Sequence, residues 1–347
     1  MQAHWYRSPN ALTWLLFPFS LLFRGAVALR RLLYRAQVLR VQRLSLPIIV
    51  VGNITVGGTG KTPLVIALAR RLRGLGWNPG IVSRGHGTKN EAPREINPND
   101  DALEAGDEPV LLAEKSGAPV WTGRDRPQTA RALLRAHPEC DVLISDDGLQ
   151  HYALARNVEI VVIDGERRFG NGLLLPAGPL REPVSRLAAA DALVINGGKA
   201  LTGAGLPRQF SMRLNGDVFR NVAQPDRIAR ADDFRGKRLH AVAAIGNPQR
   251  FFAQLKSLGL EFVATEFPDH HAFSPADLRL DADAVLMTEK DAVKCRSFAR
   301  GDWWALPVEA EVDDELLEFL NGALNGSKAA RHSGLSAVQR PSHLQKD

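Results

Sequence analysis

The chain has 347 residues, of which 45% are hydrophobic and 24% are charged, so it is long enough for two domains and is not a disordered or collagen-like protein. Its two cysteines, Cys140 and Cys295, are far apart, which excludes a disulfide framework and a thiolate zinc site and favours a reducing compartment. The net charge is +6, and thirteen lysines and arginines precede the first acidic residue, Glu91. This asymmetry predicts an anionic partner: a membrane surface, a nucleic acid or a phosphorylated ligand.

Residues 1–45 are predicted to form a membrane-associated helical segment. The apolar run at 11–23 contains Pro18 and ends at Arg24, so it is short for a spanning helix, which needs about 20 apolar residues. Its arginines follow the run, whereas a signal peptide has them before it. An interfacial helix on an anionic membrane fits best, and an ordinary buried helix stays open as the alternative. Nucleic-acid binding is not expected, since no nucleic-acid-binding motif surrounds the basic residues.

From residue 46 the sequence alternates between short apolar runs and amphipathic stretches. This alternation predicts an α/β domain with a largely parallel sheet over 46–206. The predicted strands are 46–52, 80–83, 142–145, 160–163 and 192–195, and the predicted helices are 62–72, 109–115 and 126–136.

A change of pattern around Asn215-Gly216-Asp217 predicts a hairpin at 207–222, which we interpret as a two-stranded linker between domains. A second, smaller α/β domain is predicted at 223–325. Its predicted strands are 239–245, 261–264, 284–288 and 304–308, and its predicted helices are 249–257 and 313–324. Residues 326–347 lack periodicity and are predicted to form a mobile tail.

The first predicted strand runs directly into a glycine-rich loop and then a helix, which is the context of a phosphate-binding loop. Backbone N–H groups of such a loop bind phosphates, Lys61 supplies a positive charge, and the Thr62 hydroxyl is a ligand for Mg²⁺. The general motif has glycine where this chain has Thr55, and Gly57 and Gly58 are expected to supply the backbone freedom. The predicted nucleotide-binding residues are Thr55, Val56, Gly57, Gly58, Thr59, Gly60, Lys61 and Thr62.

Asp146 and Asp147 follow a predicted apolar strand of the same domain. Phosphate-loop enzymes place an acid beside Mg²⁺ in this way, so a metal role is predicted for the pair, although turn capping remains an alternative. Further candidates are Glu182 for the same metal cluster, Arg124 and Arg126 for phosphate binding, and Gln150 and His151 for orienting the site.

Several segments together resemble the tetraacyldisaccharide 4′-kinases. They are VGNITVGGTGKTP at 51–63, VSRGHG at 82–87, GDEP at 106–109, DDGLQHYALAR at 146–156, IDGERRFGNGLLLPAGPLREP at 163–183, FPDHHAF at 267–273 and TEKDAVK at 288–294. Thr55 is normal for this family.

The resemblance implies transfer of the γ-phosphoryl group of ATP, with Mg²⁺, to a sugar hydroxyl of the lipid A disaccharide precursor. It also implies two α/β domains with the active site between them, and a location on the cytoplasmic face of the bacterial inner membrane, peripheral or monotopic. In catalysis it implies Lys61 on the transferring phosphoryl group and Asp107 on the acceptor hydroxyl, supported by His270, although the adjacent His271 leaves the register open.

A nucleotide switch or assembly ATPase remains the competing hypothesis. It would use the same loop without a lipid acceptor, so acceptor-dependent release of ADP distinguishes the two. No obligate protein partner is evident in the sequence.

Overall fold

Residues 5–85 and 92–332 are described in the computed structural model of the chain, and their strands form two sheets. The helices are α1 (Ala11–Arg35), α2 (Lys61–Gly74), α3 (Ala102–Ala105), α4 (Asp107–Ser116), α5 (Arg126–Ala136), α6 (Pro248–Ser257), α7 (Glu289–Cys295) and α8 (Asp314–His332). The strands are β1 (Ile48–Gly52), β2 (Pro79–Ser83), β3 (Arg94–Ile96), β4 (Val120–Thr122), β5 (Val142–Asp146), β6 (Val158–Asp164), β7 (Ala192–Asn196), β8 (Arg208–Asn215), β9 (Val218–Asn221), β10 (Ile228–Arg230), β11 (Leu239–Ala243), β12 (Val263–Glu266), β13 (Ala284–Thr288), β14 (Trp303–Leu306) and β15 (Glu309–Val312).

The first sheet has the order β15-β8-β7-β6-β1-β5-β2-β4-β3 and is parallel except at its two ends. The central strands β1, β5 and β6 are buried along their whole length, as expected for parallel strands covered on both faces. Helices α2, α4 and α8 contribute to the core on one face, and α5 contributes to the core on the other. This sheet and its helices, with residues 48–215 and 309–332, form what we call the first domain.

The register of β1 sets the geometry of the first domain. Val51 of β1 pairs with Asp146 of β5, and Gly52 pairs with Val161 of β6. The carboxyl ends of β1 and β5 are therefore adjacent, and ligands of open parallel sheets bind at such ends. The loop after β1 and the aspartates after β5 meet there.

The second sheet has the order β10-β9-β14-β13-β11-β12, with a parallel centre and an antiparallel edge. Phenylalanines of α6 pack on one face and α7 packs on the other. We call residues 218–306 the second domain. Cys140 and Cys295 are both buried free thiols, one in each domain.

The predicted hairpin at 207–222 is wrong. Strand β8 pairs with β7 and β15 in the first sheet, whereas β9 pairs with β10 and β14 in the second. The alternating pattern correctly predicted two strands, but Asn215-Gly216-Asp217 joins two sheets instead of turning the chain back. The two-stranded connection is instead the antiparallel pair β8 and β15, since the chain crosses between domains at 216–217 and 307–308.

The C-terminal helix α8 belongs to the first domain, so the predicted second-domain range of 223–325 is too long. Leu316, Leu320 and Leu324 of α8 lie in the core of the first domain, and Trp77 Nε1 donates a hydrogen bond to Asn321 Oδ1 at 3.1 Å. The periodicity of the sequence predicts that this helix has an apolar face, but not which of the two sheets that face packs against. The tail predicted at 326–347 is helical as far as His332, and residues 333–347 lie outside the described residues.

Helix α1 is longer than the apolar run that suggested it. It extends over 25 residues, begins at the capping residue Asn10, and is long and apolar enough to cross a membrane. One face contacts the first domain, where Ser20 Oγ donates to the carbonyl of Leu174 at 2.8 Å and Tyr34 packs against Tyr152. The opposite face leaves Trp14 65% exposed and Leu22 73% exposed, so α1 is not an ordinary buried helix.

The place of α8 in the first domain is testable with Leu320→Ala. Leu320 is fully buried, and such a truncation costs about 2–5 kcal/mol of unfolding free energy. Amide hydrogen exchange should therefore become faster in β1 and α2 and stay unchanged in β11 and β13. The matched control is Leu103→Ala, because Leu103 is 53% exposed. Faster exchange confined to the second domain would contradict the assignment.

Candidate active site

A cavity of about 390 Å³ lies between the two domains. The first domain contributes the loop after β1, and the second contributes the loops after β11 and β12 and the start of α7. All the predicted nucleotide-binding residues line it, namely Thr55, Val56, Gly57, Gly58, Thr59, Gly60, Lys61 and Thr62. The predicted nucleotide loop therefore faces the second domain across a single cleft.

The backbone of the loop explains why threonine is accepted at position 55. Gly57 and Gly60 have φ of +102° and +94°, a region that favours glycine. A Cβ at Gly60 would also lie 2.4 Å from Asn196 Nδ2. Thr55 has no positive φ and instead forms a β-bridge with Leu180, where a β-branched residue is suitable. Gly57, as expected, supplies left-handed freedom, whereas Gly58 has no positive φ.

Lys61 is held by a residue that the sequence analysis missed. Lys61 Nζ donates to Asn53 Oδ1 at 3.3 Å and lies 3.5 Å from Asp147 Oδ1. Asn53 is fully buried, and its Nδ2 donates to Thr59 Oγ1 at 3.2 Å. Its position directly after β1 is the signal that could have identified it.

Asp147 faces the cavity and is paired with Arg181. Two guanidinium nitrogens of Arg181 donate to its carboxylate at 2.9 and 3.1 Å. Burial opposes ionisation, but the positive charges of Lys61 and Arg181 outweigh it and hold the pKa of Asp147 well below its usual range. The backbone of Asp147 is left-handed, with φ of +47°, which turns its side chain out of the β5 register. Arg181 belongs to the LREP segment but was not predicted as a site residue.

Asp146 lies behind the cavity. It is 1% exposed, and its Oδ2 accepts a hydrogen bond from Ser83 Oγ at 3.2 Å. Burial, together with the negative charges of Glu108 and Asp147, raises the pKa of Asp146 to about 7. Of the two predicted metal-side acids, Asp147 therefore lines the cavity and Asp146 supports it from the end of β5.

Asp107 and His270 meet across the domain boundary. Asp107 is the first residue of α4, and its Oδ2 lies 3.2 Å from His270 Nδ1. Its other oxygen accepts the backbone N–H of Glu108 at 2.8 Å. Of the two adjacent histidines, His270 is the one that contacts Asp107, whereas His271 Nε2 lies 3.3 Å from Asp277 Oδ2.

Both members of this pair are electrostatically perturbed. Burial opposes ionisation of Asp107, but the hydrogen bond with His270 and the charges of Lys290 and Lys294 outweigh it and lower its pKa to about 2. The same hydrogen bond raises the pKa of His270 against the effect of its partial burial. His270 has a left-handed backbone with φ of +61°. Non-glycine residues held in this region are concentrated at functional sites.

Glu182, whose metal role stays a prediction, lies outside the cavity lining. Its carboxylate is 1% exposed, accepts a hydrogen bond from Tyr152 Oη at 2.7 Å, and pairs with Arg186 at 3.3 Å. It therefore lies in a buried polar cluster and does not line the cavity. Spacing in the sequence could not distinguish the neighbouring Arg181, which faces the cavity, from Glu182, which faces away.

The weaker candidates also lie outside the cavity lining. Arg126 is 1% exposed and donates to the backbone carbonyl of Asp146 at 2.8 Å, so it supports the end of β5. Arg124 is exposed on the loop before α5. Gln150 donates to the carbonyl of Asn53 at 3.1 Å, and its orienting role stays a prediction. Burial and the charges of Arg126 and Arg84 lower the pKa of His151 to about 3.

The two domains are joined beside the nucleotide loop through Asp164, the last residue of β6. This buried carboxylate accepts hydrogen bonds from Arg167 at 3.1 Å and Asn247 at 3.0 Å, and it pairs with Arg250 at 2.8 Å. Asn247 and Arg250 belong to the second domain. Gly246 packs so closely on the loop that a Cβ there would lie 2.1 Å from the backbone nitrogen of Gly58.

The cavity offers oxygen ligands suited to Mg²⁺. Thr62 and Asp147 line it, and Mg²⁺ is usually bound by one or two carboxylates with phosphate oxygens and water. Asp146 Oδ1 is buried without a hydrogen-bond partner. Within residues 5–85 and 92–332, no group of three or more histidines, cysteines and acids forms a metal site by itself. The oxygens of Thr62 and Asp147 therefore fit Mg²⁺ bound together with the phosphates of a nucleotide.

A phosphate-binding loop between β1 and α2, a strand-end aspartate and a carboxylate–histidine pair facing them define a phosphate-loop phosphotransferase. The particular family follows from comparison with known sequences. The family model described as tetraacyldisaccharide-1-P 4′-kinase (LpxK) matches residues 12–325, and the chain belongs to this family.

Curated relatives named tetraacyldisaccharide 4′-kinase are similar over nearly their whole length. The protein of Methylobacillus flagellatus is 53% identical over 88% of this chain and 90% of its own. The protein of Dechloromonas aromatica is 49% identical over 95% of this chain and 98% of its own. A crystal structure of LpxK from Aquifex aeolicus in complex with ATP, at 29% identity, superposes with a TM-score of 0.75 over 91% of this chain and 99% of that chain.

The Asp107–His270 contact predicts that the pKa of His270 is raised, which a titration can measure. His270 should titrate above its ordinary pKa of 6.5, and Asp107→Asn should lower that pKa by removing the negative charge. Because the folded pKa is raised, the stabilisation from this pair is fully present below pH 6.5 and is lost as the pH rises through the folded value. NMR titration of labelled histidine measures the shift.

Asp277→Asn is the matched control, since it removes the carboxylate beside His271 and should leave the His270 titration unchanged. If Asp107→Asn has no effect on His270 either, the two side chains do not interact in solution.

Proposed function

We propose that the protein transfers the γ-phosphoryl group of ATP to the 4′-hydroxyl of a tetraacyldisaccharide 1-phosphate, a precursor of lipid A. The single observation that carries the proposal is that His270, which is hydrogen-bonded to the buried Asp107, lines the same cavity as Lys61 and the nucleotide loop. A nucleotide switch needs the loop but has no use for a carboxylate–histidine pair beside it. The family of the chain supports the same activity.

The first domain provides the nucleotide side of the reaction. In our proposal the backbone N–H groups of the loop bind the phosphates, and Lys61 neutralises charge on the transferring group. Thr62 and Asp147 would hold Mg²⁺, which neutralises charge on the phosphates when bound. Arg181 would remain close to the same phosphates through its pair with Asp147. Little covalent chemistry is then left to the protein, so positioning dominates.

Asp107 would act on the acceptor hydroxyl. With its pKa lowered to about 2, it is ionised at neutral pH and is a weak base. It therefore orients the hydroxyl and accepts its proton late, when the bond to phosphorus has formed and the hydroxyl has become acidic. His270 fixes the carboxylate, and the hydrogen bond between them raises the pKa of the imidazole.

The acceptor carries acyl chains, which explains the surface of α1. We propose that α1 lies on the cytoplasmic face of the bacterial inner membrane, with its exposed leucines and aromatic residues in the acyl boundary and its arginines on anionic phosphates. Its contacts with the first domain through Ser20 and Tyr34 favour a helix lying along the membrane. Such an attachment is monotopic or peripheral and brings the cleft close to the lipid.

Asp107→Asn should abolish most turnover while sparing nucleotide binding. General-base and orienting groups contribute about 10²–10⁴-fold, so kcat for the lipid acceptor should fall by that order. The Kd for ATP should stay within about twofold. Mass spectrometry of the lipid, with ATP, Mg²⁺ and detergent-solubilised protein, measures the added phosphate.

Glu104→Gln removes an exposed carboxylate from the neighbouring α3 and serves as the control with unchanged turnover, whereas Lys61→Ala should abolish transfer. If the unaltered protein releases ADP equally well without lipid and no phosphorylated sugar appears, the nucleotide-switch hypothesis replaces the kinase.

The double substitution Leu15→Glu and Leu22→Glu should release the protein from membranes. Both leucines are at least 70% exposed on α1, and each charge opposes burial of the apolar face. Binding to vesicles of phosphatidylglycerol and phosphatidylethanolamine, measured by sedimentation, should fall strongly. Leu103→Glu, at an exposed leucine of α3, should bind as the unaltered protein does. Equal binding by both variants would contradict the role of α1.

A further inference from the structure

The second domain places two lysines beside Asp107 in addition to His270. Three positively charged or ionisable nitrogens from this domain face Asp107 Oδ2, namely His270 Nδ1 at 3.2 Å, Lys290 Nζ at 3.8 Å and Lys294 Nζ at 3.9 Å. Asp107 itself belongs to the first domain. The electrostatic environment of the acceptor-side carboxylate is therefore formed only when the two domains are in contact.

Lys290 is placed at this boundary by the strand–helix junction that carries it. Strand β13 ends at Thr288, whose side chain caps α7 by accepting the backbone N–H of Asp291. Lys290 lies in the first turn of α7, which packs against α4 of the first domain. Two more ion pairs cross the same contact, Lys115–Glu289 and Arg296–Glu114, so the facing surfaces have complementary charges.

The ammonium group of Lys290 lies among three carboxylates. Its Nζ donates to Glu108 Oε1 at 2.9 Å and lies 3.8 Å from Asp107 Oδ2 and 3.7 Å from Asp269 Oδ1. The side chain is 16% exposed and lines the cavity. Burial opposes the charge of Lys290, but the surrounding acids outweigh it and raise its pKa. The lysine is therefore a fixed positive charge inside the cleft.

Without this charge the cleft would hold Asp107, Glu108 and Asp269 as close negative charges, beside the triphosphate that must enter. Like charges at such distances in a poorly solvated site repel strongly. Lys294 cannot replace Lys290, because it is paired with Asp291 at 2.8 Å and packs over Phe273, both within the second domain. Of the two lysines, Lys290 is the one that hydrogen-bonds the first domain.

We propose that Lys290 is a positioning residue for phosphoryl transfer, whose charge, supplied by the second domain, holds Asp107 and Glu108 at the start of α4 in the geometry that the acceptor hydroxyl requires. The inference rests on the proposed kinase function and extends it to a group outside the Asp107–His270 pair. It also makes α7 part of the active site.

Lys290→Met in the full-length, detergent-solubilised protein tests the proposal. We expect kcat for the lipid acceptor to fall about tenfold or more, since misplacing a reacting group is costly, while KM for ATP stays within about twofold. Lys290→Arg keeps the charge and should retain most of the activity. A second readout needs no turnover: His270 faces Asp107, Asp269 and Lys290, so loss of the lysine charge should raise the His270 pKa in NMR titrations.

Lys115→Met is the matched control, because it removes an ion pair from the same α4–α7 contact away from Asp107. Its kcat and its His270 titration should equal those of the unaltered protein. If Lys115→Met loses as much activity as Lys290→Met, Lys290 only stabilises the contact and the proposal is overturned.

Lys290→Gln separates charge from hydrogen bonding and is the alternative if Lys290→Met does not fold. Glutamine can still donate to Glu108, so full activity and an unchanged His270 titration in this variant would overturn the proposal. Absence of lipid phosphorylation by the unaltered protein would instead contradict the kinase function. The His270 titration of the variants would still measure the charge effect in that case.

Discussion

The arrangement of the cleft depends on one buried carboxylate, Asp164, at the end of β6. It binds Arg167 within its own domain and Asn247 and Arg250 from the other. A carboxylate at 2% exposure is tolerated only when its oxygens are paired, and leaving such a charge unpaired typically costs about 3–5 kcal/mol. The second domain is therefore attached to the first beside the nucleotide loop, which brings Gly246 and Asn247 against that loop.

The contact between the domains also determines the charge state of Asp107. Burial alone disfavours the ionised form of this acid and would raise its pKa. His270 and two lysines reverse that effect. Asp146 is the contrast within the same site: it gains no comparable partner, and burial with its acidic neighbours raises its pKa to about 7. Two aspartates with equal intrinsic acidity thus differ because Asp107 has positively charged partners from the second domain, whereas Asp146 has acidic neighbours from the first.

Local features of the sequence predicted individual helices and strands well. They did not predict which strands pair with each other or which sheet a helix packs against. The strand–loop–helix at 46–72 and the helix at 126–136 were predictable, because apolar periodicity and glycine spacing act within a few residues. The partners of β8 and β9, and the sheet covered by α8, were not, since these depend on chain segments about a hundred residues apart. The same limit applies to the site. Lys61, Asp107 and His270 were predicted, the last two through the family resemblance. Asn53 could have been identified by its position directly after β1, whereas Arg181 and Lys290 become recognisable only when the structure shows what they contact.

The two domains contribute different residues to the site, which explains how phosphoryl transfer to a sugar can be favoured over hydrolysis of ATP. The first domain by itself carries the loop, Lys61 and Asp147, which is sufficient to bind and neutralise a triphosphate. The carboxylate that we propose acts on the acceptor, Asp107, is also on the first domain, but it contacts His270 and Lys290 of the second. In the proposed mechanism, therefore, nucleotide binding and acceptor activation are separate properties of the fold, and only the assembled cleft combines them. A site of this kind exposes its ATP to an activated hydroxyl only while the second domain excludes bulk water from the same face.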